Sequence, residues 1–343
     1  MNAPQDRKPM TMPQIQPHPD APDFAAIEDA ARLIAGHATV TPLLESPLLN
    51  ARLGGRLLVK AEPLQRTGSF KFRGAFNRIG RLSAAERRNG VVAFSSGNHA
   101  QGVAAAAQLV GTPAVIVMPA DAPSIKVANT RAYGAEVVTY DRFTEDREAI
   151  GRRIRDERGA VLVPPYDDPY IIAGQGTVGL EIAAQARAAG IAVDAVAACA
   201  SGGGLVAGIA LALEAKSPGT AVHVCEPAGF DDHARSLVAD ARVANAPGAQ
   251  SICDALLAAT PGEITFSINR RLLRGGIAVT DDEVLRAMGI AFRDLKLVVE
   301  PGGAVGLAAA LSGKLPVAGR TVVVVCSGGN VDPATFSRAL ATL

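Results

Sequence analysis

No charge of one sign dominates this chain. Its 343 residues carry 34 Lys and Arg against 33 Asp and Glu, a net charge of +1, with both signs mixed along the sequence. Nothing in that balance suggests a nucleic-acid surface or an anionic-membrane surface. No apolar run is long enough to span a bilayer, because Gly, Pro or polar residues interrupt each one. The opening stretch MNAPQDRKPMTMPQIQPHPDAPD lacks the apolar core of a secretory signal. It is rich in proline and poor in large apolar residues, so residues 1–22 are expected to form a disordered arm. There is no CxxC pair: Cys199, Cys225, Cys253 and Cys326 are widely spaced, and free buried thiols in a reducing cytoplasm are the expectation. The GxGxxG spacing of a dinucleotide fold and the Gly-Lys-Ser/Thr of a P-loop are missing too.

What is present is a globular composition, 48% hydrophobic and 20% charged, in a chain long enough for a large core and two lobes. RLLVKAE, GVVAFSS, PAVIVMP, AEVVTY, AVLVPP, AVAACA, AVHVCEP, KLVVEP and TVVVVCS read as buried strands. Ala-rich helical segments separate them, among them 102–110, 177–189, 205–213 and 281–294. The fold class is therefore α/β, with crossover helices on parallel-rich sheets. In such sheets ligands bind beyond the carboxyl ends of the strands.

Four loops at strand ends carry chemistry. In Thr67–Phe76 a lysine, Lys71, opens a short helix between glycines, with Ser69 as the expected N-cap. Phe72, Ala75, Phe76 and Ile79 form its core-facing stripe. The helix dipole and burial both disfavour a cation at Lys71, and a neutral amine can attack an aldehyde. Gly68, Gly74 and Ala75 leave room for something flat beside it. The plain alternative is a solvated lysine. Ser95-Ser96-Gly97-Asn98-His99 offers open backbone N–H groups to a carboxylate, or is an ordinary capped turn. Ser201-Gly202-Gly203-Gly204-Leu205 suits one phosphate at a helix N-terminus, or is a glycine turn. Cys326-Ser327-Gly328-Gly329-Asn330 offers a lone hydroxyl. An amine, a carboxylate cradle, a phosphate cradle and a hydroxyl are what pyridoxal phosphate needs.

GSFKFRGA, SSGNHAQG, AGQGT, SGGGL, VEPGGAVG and SGGNVD occur in this order. The chain resembles the fold-type II pyridoxal-phosphate enzymes of the threonine/serine dehydratase and serine racemase group, from about Ala31 to Leu343. That resemblance implies a large cofactor-binding domain of residues 23–89 and 168–343, and a small mobile domain of residues 90–167. Lys71 would form the Schiff base and remove the Cα proton. Phe70 would pack beside the cofactor, and Asn98 would bond its phenolic oxygen. Gly202, Gly203, Gly204 and Leu205 would hold the phosphate, and Ser327 would face the ring nitrogen. Ser95, Ser96, Asn98 and His99 would bind the substrate carboxylate. A neutral serine does not keep the ring nitrogen protonated, which favours expulsion of a β-hydroxyl over other fates. The product hydrolyses to a 2-oxo acid and ammonia. In this family the cofactor phosphate is thought to protonate the leaving hydroxyl, while closure of the smaller lobe excludes water.

Four features bear on the substrate. Ser96 stands where racemases and some hydroxyaspartate dehydratases carry an acid on the face opposite the lysine; its plain role is a turn residue. Tyr140–Glu148 resembles the hydroxyaspartate dehydratase and racemase version of this segment, and Arg147 could pair with a substrate β-carboxylate; the alternative is a solvated helix charge. Glu226, the Phe230 carbonyl and Asp232 resemble a racemase-type site for Mg²⁺ or Ca²⁺; otherwise they form an acidic turn. Ala255 replaces a glycine usual in relatives, and with Leu256, Leu257 and Ala258 suits the methyl of threonine. The expectation is a cytoplasmic, homo-oligomeric L-threonine/L-serine dehydratase taking a small amino-acid substrate. The alternative is a 3-hydroxyaspartate dehydratase or serine racemase on the same scaffold. The chain ends soon after SGGNVD, so no isoleucine feedback is expected.

Overall fold

The computed structural model describes residues 18–95, 97–122, 124–141 and 143–343. Among these lie ten strands. The first five are Leu43–Glu45 (β1), Arg56–Ala61 (β2), Val91–Phe94 (β3), Ala114–Pro119 (β4) and Glu136–Tyr140 (β5). The others are Val161–Leu162 (β6), Ala195–Cys199 (β7), Ala221–Pro227 (β8), Leu273–Val279 (β9) and Thr321–Cys326 (β10). Six form one sheet in the order β1-β2-β10-β7-β8-β9, and four form another in the order β5-β4-β3-β6. All pairings are parallel except that of β1 with β2. The central strands are apolar on both faces because helices cover both, which is why they read as unbroken Val and Ala runs.

Two strand expectations fail for local reasons. KLVVEP forms no strand. Lys296 takes a left-handed conformation that ends helix Asp281–Leu295, and Glu300 then caps helix Pro301–Leu311, so too little chain is left to pair. AVLVPP shrinks to the two residues of β6, since prolines cannot donate to a ladder. Conversely β9 escaped notice because its LRGGIAV sequence is broken by two glycines. Most of the expected 1–22 arm lies outside the described residues, but residues 18–22 are held onto the protein, His18 N donating to Ser267 Oγ at 3.1 Å.

Three helices meet through missing side chains. A Cβ on Gly174, in helix Pro169–Ala188, would lie 2.6 Å from the Cα of Gly74 in helix Lys71–Ile79. A Cβ on Gly208, in helix Gly204–Lys216, would lie 2.5 Å from Gly176 N. Thus the AGQGT glycines are a packing joint that seats the lysine helix against the glycine-loop helix. Beside it runs a buried ionic network. Arg73 is fully buried and grips Glu62 through Nε and Nη2, both at 2.8 Å. Its Nη1 reaches Glu181 Oε1 at 2.6 Å, and Lys60 Nζ reaches Glu181 Oε2 at 2.6 Å. The network ties β2, the lysine helix and the Pro169–Ala188 helix together.

Removing one partner would strand the others as uncompensated buried charge. Arg73→Ala should therefore cost about 3–5 kcal/mol of unfolding free energy, measured by urea denaturation. A loss below about 1 kcal/mol, the range of exposed pairs, would contradict this assignment.

Candidate active site

Lys71 is the first residue of its helix, and the expected cap is not there. Ser69 instead forms a bridge with Gly328, and Phe70 N donates to Ser327 O at 3.1 Å. That pairing turns Ser69 Oγ into a buried atom without a partner, and it pins the Lys71 segment directly to the Ser327 loop. The Phe72, Ala75, Phe76 and Ile79 stripe is buried as expected. Gly68 and Gly74, however, make room for protein and not for a ligand. Added Cβ atoms there would meet Asn330 Oδ1 at 2.6 Å and Gln175 Nε2 at 2.5 Å. Lys71 Nζ donates to Pro165 O at 2.7 Å and lies 5.2 Å from the centroid of the buried Phe70 ring. Burial pushes its amine down to about 8, against weaker upward pulls from Cys199 and Glu300. The neutral amine is thus far more accessible than in a free lysine.

Opposite it stands the glycine loop at the N-terminus of helix Gly204–Lys216. Gly202, Gly203, Gly204 and Leu205 are buried, yet among the described residues their N–H groups reach no acceptor. Gly203 has φ +95°, and a Cβ on Gly202 would lie 2.1 Å from the Tyr166 ring, so side chains are excluded here. The loop is held from behind. Thr265 Oγ1 donates to Gly202 O at 2.5 Å, and Gly262 N donates to the same oxygen at 3.2 Å. Buried open donors at a helix N-terminus want an anion.

A second set of N–H groups without an acceptor among the described residues begins helix Asn98–Val110. Ser95 Oγ accepts from Gly97 N at 3.2 Å, which shapes the turn. Ser96 lies outside the described residues. His99 offers its backbone and not its ring. Its Nε2 donates to Val163 O at 2.9 Å, and burial followed by the Lys71 charge holds the imidazole down to about 3. Asn98 is clamped at both ends: Nδ2 donates to Glu300 Oε1 at 2.5 Å, and Oδ1 accepts from Asn330 Nδ2 at 2.7 Å. Burial pushes the Glu300 carboxyl up to about 7, helped by Asp254. Glu300 sits inside the VEPGGAVG stretch, but its mistaken reading as a strand end hid its place in the site.

Ser327 is 4% exposed and accepts from Cys199 Sγ at 3.3 Å. Arg147 opens helix Arg147–Arg158, its guanidinium 5.6 Å from the Phe94 ring centroid. It forms no ion pair among the described residues, whereas Lys126 is held by Asp254 at 2.6 Å. Glu226 and Asp232 do come together, but the side chain that completes their cluster is His233. Both Glu226 oxygens accept backbone N–H groups, from His233 and Ala234 at 2.9 Å each, so that carboxylate caps helix Asp232–Ala239. These contacts do not support the Mg²⁺ or Ca²⁺ site expected of Glu226, Phe230 and Asp232.

One cavity of about 580 Å³ is lined by Phe70, Lys71, Ser95, Asn98, His99, Arg147, the 201–205 loop, the 254–260 segment, Glu300 and Ser327. A half-buried amine of lowered pKa, an anion cradle and a neutral hydroxyl on one cavity define a site for a phosphorylated carbonyl cofactor. The chain belongs to the pyridoxal-phosphate dependent enzyme family, whose sequence model matches residues 34–328. It is similar to an L-threo-3-hydroxyaspartate ammonia-lyase of Saccharomyces cerevisiae, 43% identical over 91% of this chain and 94% of that one. It is also similar to an L-threonine ammonia-lyase of Thermotoga maritima, 39% identical over 92% of this chain and 77% of that one. The solved structure of maize serine racemase superposes with a TM-score of 0.87, at 39% identity over 94% of this chain and 98% of that one. The protein is thus a pyridoxal-phosphate-dependent enzyme of the ammonia-lyase and racemase group. No helix among the described residues is long and apolar enough to cross a membrane.

Glu300 yields a pH prediction. A carboxyl raised on folding binds its proton more tightly in the folded state. Its support for the fold is complete below the ordinary value of 4.5 and is lost as pH rises through about 7. The stability of Glu300→Gln relative to the native protein should therefore climb across that window and level off above it. Urea titrations at stepped pH would show this; a difference that stays constant with pH would contradict it.

Proposed function

We propose that the enzyme is a 3-hydroxyaspartate ammonia-lyase, releasing a 2-oxo acid and ammonia. The observation that carries this is Arg147, a guanidinium on the wall of the cavity that holds Lys71, with no ion-pair partner among the described residues. Lys126 on the same cavity is already held by Asp254, whereas Arg147, without an ion pair among the described residues, could meet a second substrate carboxylate. The similarity to hydroxyaspartate ammonia-lyases at 43% identity, in Saccharomyces cerevisiae and in a Pseudomonas, supports the same choice. The threonine/serine reading draws on a different observation: Ala255, Leu256, Leu257 and Ala258 line the same cavity as an apolar wall.

Bound pyridoxal phosphate supplies an aldehyde for an amine and a ring that withdraws electrons from the substrate Cα. The chain supplies the rest. The 202–205 N–H groups would hold the phosphate, and Ser327 would meet the ring nitrogen with a neutral hydroxyl. The open N–H groups that begin helix Asn98–Val110 take the α-carboxylate. Asn98, fixed by Glu300 and Asn330, keeps that helix start in register with the larger sheet. Lys71, once released, has a neutral amine available to take the Cα proton. Lys126–Asp254 and Asn98–Glu300 both bridge the 90–167 region to the larger sheet, and closure of that region over the substrate belongs to the same proposal. The leaving β-hydroxyl still needs a proton, which none of these side chains gives.

Initial rates with both 3-hydroxyaspartate diastereomers, L-threonine and L-serine test the reading. One hydroxyaspartate should show the highest kcat/KM. Arg147→Ala should lower that value about 10- to 100-fold, mainly through KM, and leave threonine nearly unchanged. Preference for threonine, with Arg147→Ala neutral on every substrate, would overturn it in favour of the threonine/serine reading.

A further inference from the structure

Cys199 is a buried thiol on the wall of the cavity, and the chemistry above leaves it unused. It ends β7, and Ser327 follows directly after β10, the strand paired with β7 on one side. On the other side Cys199 stands in register with Cys225 of β8. Strand pairing therefore brings the thiol and the serine together at neighbouring strand ends. Cys199 Sγ donates to Ser327 Oγ at 3.3 Å.

Ser327 has little freedom left besides the rotation of its hydroxyl. Its N–H donates to Gly303 O at 3.3 Å, and its carbonyl accepts from Phe70 N at 3.1 Å. The hydroxyl accepts from Cys199, and among the described residues it donates to no acceptor. A hydroxyl carries one proton. Because Cys199 supplies the proton of the contact between the two side chains, the Ser327 proton is left for the cavity that this residue lines. That polarity requires a protonated thiol. Burial pushes the Cys199 thiol up to about 11, against weaker downward pulls from the Ser327 hydroxyl and the Lys71 charge. A thiolate would reverse the contact: it would accept the Ser327 proton and leave only oxygen lone pairs for the cavity.

We propose that Cys199 is a positioning residue for the cofactor ring: its thiol donates to Ser327 Oγ, so that Ser327 donates its own proton to the ring nitrogen of bound pyridoxal phosphate. The inference rests on the reading that Ser327 meets that nitrogen, and it adds the residue that sets which of the two is the donor. A Ser327 hydroxyl without Cys199 is free to turn, and in other rotations it presents lone pairs to the lone pair of the nitrogen. The direction matters to the reaction. A hydrogen bond donated to the nitrogen draws electrons from the ring without placing a full positive charge on it. Sulfur is the weaker hydrogen-bonding partner of the two, so a thiol fixes the serine without competing for its proton.

The test reads the ring nitrogen itself. Native enzyme, Cys199→Ala, Cys199→Ser and Ser327→Ala are each loaded with pyridoxal phosphate labelled with ¹⁵N in the ring, and the ¹⁵N chemical shift is measured. Ser327→Ala supplies the value for a nitrogen without its donor. Cys199→Ala should move from the native value toward that one, and Cys199→Ser, which keeps an O–H donor, should return toward the native value. On the substrate with the highest kcat/KM, Cys199→Ala should lose about 2- to 10-fold in kcat, the range of one weakened hydrogen bond, with KM nearly unchanged. A native-like shift in Cys199→Ala would overturn the proposal whatever the activity, and would reduce Cys199 to a packing residue. So would a Cys199→Ser shift that matches Cys199→Ala. A native shift equal to that of Ser327→Ala would instead sink the reading of Ser327 on which the proposal rests.

Discussion

The guanidinium of Arg73 holds together the parts of the molecule that must agree on where Lys71 points. It is wholly buried two residues from that lysine, bound by Glu62 on one side and Glu181 on the other. A buried charge is tolerated only when its partners are fixed, so this fork fixes β2 and two helices relative to one another. The glycine joint beside it removes the side chains that would hold those helices apart. Lys71 is thereby placed in an apolar setting that it could not choose on its own.

From that placement the chemistry follows as a set of complementary deficits. The amine is half-buried beside Phe70, and burial drives its pKa down. Among the described residues the N–H groups of the 202–205 loop and of the start of helix Asn98–Val110 reach no acceptor, so each suits an anion. Among the described residues Arg147 forms no ion pair, whereas Lys126 does. Each deficit is costly in the free protein and, under the proposed function, would be relieved by a cofactor phosphate, a substrate α-carboxylate or a β-carboxylate. Glu226 differs, because both its carboxylate oxygens already accept backbone N–H groups.

Much of this was legible before the structure. Unbroken Val and Ala runs marked the central strands, and the order of the lysine, glycine and SGGN loops marked the site. What escaped was whatever depended on neighbours far away in sequence. KLVVEP has strand composition, but Lys296 and Pro301 leave it no room to pair. Ser69 looks like a cap until Gly328 claims its backbone. His99 looks like a ligand until the Val163 carbonyl takes its ring. Gly68 and Gly74 look like space for a cofactor, yet Asn330 and Gln175 fill it. Glu300 carries no local signal of its role; only the three-dimensional contacts bring it to the cavity.

The central claim is that the fold, not the cofactor, keeps Lys71 ready as a neutral amine. Its most direct measurement is the titration of the Lys71 ε-carbon by ¹³C NMR in the cofactor-free protein, with the signal assigned by its absence in Lys71→Arg. The account predicts a midpoint near about 8. A midpoint at the ordinary lysine value of 10.5 would contradict it.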